Sequence, residues 1–280
     1  MGGTFVYDEC AGCESLSLRS VPDDLSEYYP AGYYSYGTKP ELSVGRRFAL
    51  RALLFRAGGR HLAPLAPGRY RALARGGVHR DSRILDVGGG DGRLVDELRS
   101  AGLEGDSTVV DPYATADRTA LGSPIVRDEL TSVTGTFDIV MFHHSLEHHD
   151  DPRATLRAAH GLLAHDGALV VRMPTVSSEC WRRYGVHWIE LDAPRHLVVP
   201  SEQGLTRLLG DVGFRVERSW RDGESFQLWG SELYRRGVAY VGADPRTYFS
   251  PKELRRFARE TRRLNRIGEG GRLALIARKA

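Results

Sequence analysis

A chain of 280 residues, of which 41% are hydrophobic and 27% charged, can bury one large core and is expected to form one α/β domain with additions. The formal net charge of +3 is small for this length and does not by itself indicate nucleic-acid binding. Three cysteines do not make a disulfide framework, and no apolar membrane-spanning run or signal-peptide pattern is present, so we expect a soluble, cytoplasmic chain.

The first 75 residues are expected to form an N-terminal tail and a helical lid. Cys10 and Cys13 have the spacing of a zinc knuckle, but tetrahedral zinc needs four ligands and no second pair lies nearby, so we expect no metal there. Residues 28–36 contain five tyrosines, whose rings exclude water while their hydroxyls still form hydrogen bonds. Residues 42–75 are amphipathic at helical spacing and could cover a ligand.

The most informative segment is 84–94, where an apolar strand containing Asp86 enters a glycine-dense turn and then a helix. Glycines at Gly88, Gly90 and Gly92 let a ligand approach the backbone and permit positive φ angles. Amides at the start of the following helix favour a negative group. A dinucleotide enzyme would show G-x-G-x-x-G, whereas here the glycines alternate.

Two further predicted strands are followed by polar residues. In open α/β sheets ligands bind at this position, outside the carboxyl ends of the strands. The strand at 107–110 ends in Asp111-Pro112, which puts a carboxylate where a ribose diol would lie. Residues 136–142 form a short apolar run typical of a buried parallel strand, and four of the ten histidines follow it, within 143–149.

The second half of the chain continues the alternation of strand and helix. The remaining predicted elements are a helix at 154–163 stopped by His165-Asp166-Gly167, a strand at 168–174, a helix at 201–213, a strand from Phe214, an amphipathic helix at 252–266, and a last strand at 272–278 antiparallel to its neighbour.

The ordered set of motifs resembles the class I S-adenosylmethionine-dependent methyltransferases. Leu146-Glu147-His148 followed by Asp151-Pro152, and Trp188 followed by Pro194-Arg195-His196-Leu197, are similar to the signatures of a bacterial small-molecule branch of that family. Cys10-x-x-Cys13 looks like a degenerate remnant of the zinc ribbon that often precedes this branch. The resemblance implies an α/β, Rossmann-like fold with a seven-stranded, mostly parallel sheet, an antiparallel last strand and helices on both faces.

The resemblance also implies a domain organisation and a cofactor. We expect the tail and lid at 1–75, a cofactor-binding core at 76–220 with an insertion at 175–200, and a C-terminal insertion with the final strand at 221–280. The implied cofactor is S-adenosylmethionine. Its expected contacts are Tyr33, Tyr34, Asp86, Gly88, Gly90, Asp111, Pro112, Asp128 and His143.

A sulfonium methyl group is already activated, so the protein needs to add little beyond positioning, desolvation and a base. Histidine is the usual base near neutral pH. We rank His144 first, then His196, then His148. An alternative for Glu147-His148 is that the pair caps and anchors the helix start near Pro152, and His149 is expected to be exposed.

A metal site is the second possibility for these residues. His144, Glu147, His148 and His196 partly resemble the metal-binding set of small-RNA 2′-O-methyltransferases, but a histidine stands where the first glutamate belongs. The loss of a hard oxygen ligand favours the interpretation without a metal.

The acceptor is expected to bind the insertions. Segment 175–200 mixes aromatic walls with cationic donors, which suits a polar ring or a carboxylated small molecule. The residues expected to contact the acceptor are Trp181, Tyr184, His187, Trp188 and Arg195. The arginines of 252–266 are expected to form a solvated face, or alternatively a surface for an acidic or phosphorylated partner.

Together these features predict a methyltransferase acting on a small molecule in specialised metabolism, with oxygen favoured over carbon or nitrogen. Methylation of RNA or another nucleic acid, and a cofactor-binding subunit without transfer activity, are the alternatives. Apart from the small-molecule substrate, nucleic acid is disfavoured as a partner, no membrane is expected, and the chain is expected to be a monomer or a homodimer.

Overall fold

The computed structural model describes residues 3–29, 49, 51, 54–55, 68–240 and 242–280. The chain divides into two units. The sheet unit comprises Tyr29–Arg172, Leu208–Arg218 and Leu275–Ala280. The insertion unit comprises Met1–Tyr28, Met173–Arg207 and Ser219–Ala274.

The described residues form short strands and medium-length helices. The strands are β1 (Tyr7–Glu9), β2 (Leu16–Leu18), β3 (Ile84–Val87), β4 (Ser107–Val110), β5 (Ile125–Val126), β6 (Phe137–His143), β7 (Leu163–Pro174), β8 (Val198–Val199), β9 (Phe214–Arg221) and β10 (Arg272–Lys279). The α-helices are α1 (Gly68–Gly76), α2 (Arg93–Ala101), α3 (Pro152–Leu162), α4 (Glu179–Tyr184), α5 (Glu202–Asp211), α6 (Phe226–Arg235), α7 (Pro245–Tyr248) and α8 (Pro251–Arg266).

A seven-stranded sheet with the order β5-β4-β3-β6-β7-β10-β9 is the main feature of the fold. Strand β3 pairs in parallel with β4 on one side and β6 on the other, with Leu85 opposite Thr108 and Val140. Strands β9 and β10 form an antiparallel pair, since Asp222 N–H donates to Arg272 O at one end and Ala280 N–H to Gly213 O at the other. The predicted Rossmann-like topology is confirmed.

Strand β3 lies in the interior of the sheet, and the burial of its residues fits this position. All four residues of β3 are buried, as expected for a parallel strand covered on both faces. Helix α2 follows it and buries one stripe that includes Leu94, Val95 and Leu98. Gly92 and Gly102 flank this helix with left-handed backbone angles.

The boundary between α3 and β7 differs from the prediction. Residues 165–167 do not stop the helix, because α3 ends at Leu162 and β7 begins at Leu163. Phe137 pairs with Leu163 and Ile139 with Ala168, so β7 carries three more residues than β6 between the two pairs. The extra residues form a bulge in which His165 and Asp166 are exposed, and a polar-glycine run of this kind resembles a loop in sequence.

The insertion unit has its own small sheet and core. Strands β1, β2 and β8 form an antiparallel sheet in the order β1-β2-β8. Its apolar cluster contains Leu16, Val176, Cys180, Tyr184, Trp188, Leu191, Val199, Leu228 and Leu264. None of the described helices is long and apolar enough to cross a membrane.

Candidate cofactor and active site

The loop after β3 can be built only from glycine at two of its positions. Gly88 and Gly92 have φ angles of +69° and +77°. A Cβ atom on Gly88 would lie 2.4 Å from Cβ of Ser145, and one on Gly92 would lie 2.2 Å from Cγ2 of Thr119. Gly90 also has a positive φ, of +57°. The predicted positive φ angles are therefore present in this loop. The close approaches at Gly88 and Gly92 are made by Ser145 and Thr119, so approach of a ligand to the loop stays a prediction.

Asp111 follows β4 and holds this loop in place. Its Oδ2 accepts a hydrogen bond from Gly90 N at 2.8 Å, and its Oδ1 accepts one from Tyr113 N at 2.9 Å. The residue is 6% exposed, and burial is the main cause of its raised pKa. Each carboxylate oxygen has two lone pairs, so both can accept a further hydrogen bond from a ligand hydroxyl.

Asp86 is a buried acid on β3. It is 2% exposed, and its pKa is raised to about 7, first by burial and then by repulsion from Asp111, while Arg69 opposes the shift. An acid that titrates near neutral pH is ionised more readily when a cation binds beside it. Such a carboxylate suits a ligand that carries ammonium and sulfonium charges.

A tyrosine that the sequence analysis did not single out lies beside the Asp111 loop. The ring of Tyr29 stacks on Tyr113, with centroids 5.7 Å apart and an interplanar angle of 18°. Its hydroxyl lies 3.3 Å from Nδ1 of His148. Tyr33 and Tyr34 lie outside the described residues. The density of tyrosines at 28–36 indicated that this segment is important, but the sequence could not show which tyrosine would lie beside the Asp111 loop.

The other two expected cofactor contacts near these loops are exposed. Pro112 follows Asp111 at the surface. Asp128 accepts hydrogen bonds from Glu129 N and Ser132 Oγ, both at 2.7 Å, and these bonds lower its pKa. Asp128 thus supports the start of a short 3-10 helix, Leu130–Ser132. A cofactor contact for either residue stays a prediction.

The histidine segment begins where β6 ends. His143 is the last residue of β6, and its ring meets that of His144 edge-on at 5.0 Å. His144 has a φ of +57°, which is uncommon for a residue with a side chain. Its backbone N–H donates to the carbonyl oxygen of Arg172 at 2.8 Å, which anchors this unusual conformation to β7.

Two charged neighbours define the tautomer of His144. Nη1 of Arg172 lies 2.9 Å from Nε2, and a guanidinium can only donate, so Nε2 carries the lone pair and Nδ1 the proton. Nδ1 in turn lies 3.5 Å from Oε1 of Glu147, whose side chain is fully buried. A histidine with its Nδ1 facing a carboxylate has the orientation of a general base.

The other residues of this segment correct two expectations. Helix α3 is capped by Asp151, whose Oδ1 accepts from Ala154 N at 2.9 Å, so Glu147-His148 does not supply the cap. His149 is half-buried with its ring edge-on to Phe142, and burial lowers its pKa to about 4. His149 is therefore not the exposed residue that the sequence suggested.

His196 belongs to the insertion unit and is described within it. The residue is 7% exposed, and its Nδ1 lies 2.9 Å from the carbonyl oxygen of Glu190, which only accepts, so Nδ1 carries the proton. Nε2 lies 3.8 Å from Asp192, and burial lowers the pKa of His196. Arg195 forms a bidentate ion pair with Asp192 and donates to Tyr28 O at 3.0 Å.

The remaining acceptor candidates have different surroundings. Trp188 is 1% exposed and packs in the core of the insertion unit, so a contact with a ligand would require rearrangement. Trp181 is half-buried against the same core, and His187 is exposed. The hydroxyl of Tyr184 donates to Glu232 at 3.0 Å, and burial raises the pKa of this tyrosine.

A family model described as a methyltransferase domain matches residues 53–219. The chain therefore belongs to the S-adenosylmethionine-dependent methyltransferases, and S-adenosylmethionine is its cofactor. A search of curated proteins found no match.

Solved structures with a similar fold have low sequence identity to the chain. The [4+2]-cyclase SpnF is 16% identical over 79% of this chain and 80% of its own, with a TM-score of 0.50. A SAM-dependent methyltransferase from Archaeoglobus fulgidus is 22% identical over 79% and 94%, with a TM-score of 0.49. The mitomycin 7-O-methyltransferase MmcR is 17% identical over 71% and 49%, with a TM-score of 0.46, so the match spans about half of that protein.

The sheet unit fits this cofactor. The left-handed glycine turn lies beside two acids, Asp86 and Asp111, which can serve cationic and hydroxyl groups. When bound, S-adenosylmethionine supplies an electrophilic methyl group. The protein residues supply binding and orientation.

Proposed function

We propose that the chain transfers this methyl group to a hydroxyl oxygen of a small molecule, with His144 as the base. Specialised metabolism is the expected setting, as predicted from the variety of the insertions. Oxygen is favoured because an alcohol or phenol becomes strongly nucleophilic only as a base removes its proton, whereas the lone pair of a neutral amine is nucleophilic without a base.

The contact between Nη1 of Arg172 and Nε2 of His144 is the observation that carries this proposal. The donor from Arg172 identifies Nε2 as the nitrogen with the lone pair, and Glu147 lies on the opposite side of the ring. During transfer the acceptor hydroxyl takes the place of the guanidinium at Nε2. The hydroxyl proton then moves to Nε2, and the carboxylate of Glu147 stabilises the resulting imidazolium.

The position of His144 relative to the glycine loop supports the same role. Ser145, the next residue, closely approaches Gly88, and its hydroxyl donates to Val87 O. The histidine segment and the loop are thus packed together within the sheet unit. In addition, the left-handed backbone of His144 is a strained conformation of the kind that clusters at functional sites.

The test compares matched acceptors. The purified chain is incubated with S-adenosylmethionine and pairs of small aromatic and sugar acceptors that differ only in hydroxyl, amine or blocked hydroxyl, and methylated product is measured by mass spectrometry. We expect product from the hydroxyl members and none from the blocked ones. Product confined to the amines, or binding of the cofactor without product from any acceptor, would contradict the proposal.

A further inference from the structure

Helix α8 carries a dense positive surface on one side. Four of its arginines, Arg255, Arg259, Arg262 and Arg266, are spaced i, i+4, i+7 and i+11, so they lie within about 60° of one another around the helix and extend over about 16 Å. We call this set the arginine stripe. All four residues are exposed, as are their neighbours Lys252, Arg256 and Arg263.

The described carboxylates near α8 are engaged with other partners than the stripe. Glu260 pairs with Arg263 at 3.0 Å and also lies 3.4 Å from Arg183, and Glu253 completes the capping box with Ser250. In the part of the chain that the structure describes, none of the four stripe arginines forms an ion pair. Like charges at i+3 and i+4 destabilise a helix, and a surface needed only for solubility would intersperse both signs.

The opposite face of α8 is already occupied. Leu264 and Thr261 are 2% and 8% exposed, and Phe257 packs against the apolar core of the insertion unit. The helix therefore cannot turn its apolar face toward a lipid surface, as an interfacial amphipathic helix must. The stripe is displayed outward by a helix that its own core holds in place.

Exposed apolar side chains lie at both ends of the helix. Ile267 directly follows α8 and is 53% exposed, and Tyr248 precedes it and is 40% exposed. Protein interfaces combine such apolar anchors with arginine. Apart from Tyr248 before its first turn, α8 offers no exposed aromatic for base stacking, and its exposed residues include no amide for reading base edges.

We propose that the arginine stripe docks an acidic helix of a partner protein. Glutamates or aspartates at the same i, i+4, i+7, i+11 spacing would face the four guanidinium groups, which bind carboxylates in a bidentate manner. An apolar residue of the partner helix would cover Ile267. This surface belongs to the insertion unit, whereas the proposed base His144 belongs to the sheet unit, and docking does not depend on the acceptor.

The experiment measures binding of fluorescent synthetic peptides to the full chain. One peptide is a helix with glutamates at the matching spacing and a terminal leucine, and the second has the same composition in scrambled order. We expect the matched helix to bind at least about tenfold more tightly than the scrambled peptide. The triple variant R255Q/R259Q/R262Q should lose this preference, and I267S should weaken binding several-fold.

A matched control removes the same charge elsewhere. Arg157, Arg215 and Arg218 are exposed and lie outside α8, so R157Q/R215Q/R218Q should bind the matched helix as the wild type does. Equal binding of both peptides, equal losses in both triple variants, or tighter binding of a duplex RNA or of anionic vesicles would overturn the proposal. Methyl transfer to a small acceptor should be unchanged in R255Q/R259Q/R262Q, which separates this test from that of the proposed function.

Discussion

The backbone N–H of Gly90 donates to Oδ2 of Asp111 over 2.8 Å, which joins the loop after one strand to the acid after the next. The two cofactor motifs are therefore a single hydrogen-bonded structure and not two independent contacts. A change in the acid must disturb the loop as well as remove a ligand contact.

Asp111→Asn tests this coupling. An amide has only one acceptor oxygen, so its NH2 group would face the N–H of either Gly90 or Tyr113. We expect the affinity for S-adenosylmethionine to fall by at least about tenfold, as measured by calorimetry. Asp138→Asn is the control, because Asp138 also accepts a backbone N–H, that of Arg83 at 2.8 Å, but at the start of β6. Equal losses in both variants would contradict the coupling.

Gly88→Ala separates steric exclusion from backbone strain. The new Cβ would collide with Ser145 and also require a φ of +69°. The control is Gly135→Ala, since Gly135 has a φ of +106° and nothing lies within 4 Å of the point where its Cβ would stand. We expect both variants to lose about 1–2 kcal/mol from the left-handed backbone.

Only Gly88→Ala should lose further stability and cofactor binding. Urea denaturation and calorimetry on the same samples give both quantities. If Gly135→Ala lost as much cofactor affinity as Gly88→Ala, the close packing of the glycine loop would not be the cause.

Local patterns were sufficient to predict the glycine loop and the acid after the next strand, since a buried apolar strand leads into alternating glycines at Gly88, Gly90 and Gly92. The sheet topology was implied by the resemblance to the methyltransferases, and it is confirmed. The start of β7 was predicted five residues late, because a bulge places polar residues inside a strand.

Contacts between distant residues could not be predicted. The approach of Arg172 to His144 depends on parallel pairing of β6 with β7, and the stacking of Tyr29 on Tyr113 joins segments far apart in sequence. Burial of Trp188 was missed for the same reason, since tryptophan occurs both in cores and in binding sites.

His144→Gln tests the proposed base. Glutamine cannot accept the acceptor proton, so we expect kcat to fall by about 100-fold to 10,000-fold with little change in cofactor affinity. His149→Gln is the control within the same segment, and its kcat should stay within a few-fold of the wild type. Transfer rates are measured with the best hydroxyl acceptor. Equal rates in His144→Gln and the wild type would exclude His144 as the base.

Tyr29→Ala and Tyr29→Phe test whether this tyrosine covers the cofactor site. The ring stacks on Tyr113, whereas the hydroxyl reaches His148. We expect Tyr29→Ala to weaken S-adenosylhomocysteine binding several-fold, while Tyr29→Phe retains the stacking and most of the affinity. The adjacent Tyr28 packs edge-on against Phe5, 5.8 Å away, so Tyr28→Ala serves as the control. Similar effects of both alanine variants would point to a general loss of packing.

The pH dependence of stability tests the buried acid Asp86. Its pKa is raised from 3.8 to about 7, so between these values the folded chain binds a proton that the unfolded chain has lost. The contribution of Asp86 to the free energy of unfolding is therefore fully present below about pH 4 and is lost as the pH rises to about 7. The loss is on the order of a few kcal/mol.

Asp86→Asn removes this titration. Any loss of stability from changed packing is the same at every pH, so it cancels when the free energies of unfolding at two pH values are compared. We expect the wild type without ligand to lose more stability than the variant between pH 5 and pH 8 in urea denaturation. Cofactor affinity of the wild type should rise over the same range, because the ionised acid attracts a cationic ligand. A stability difference that does not change with pH would show that Asp86 is not protonated in the folded chain.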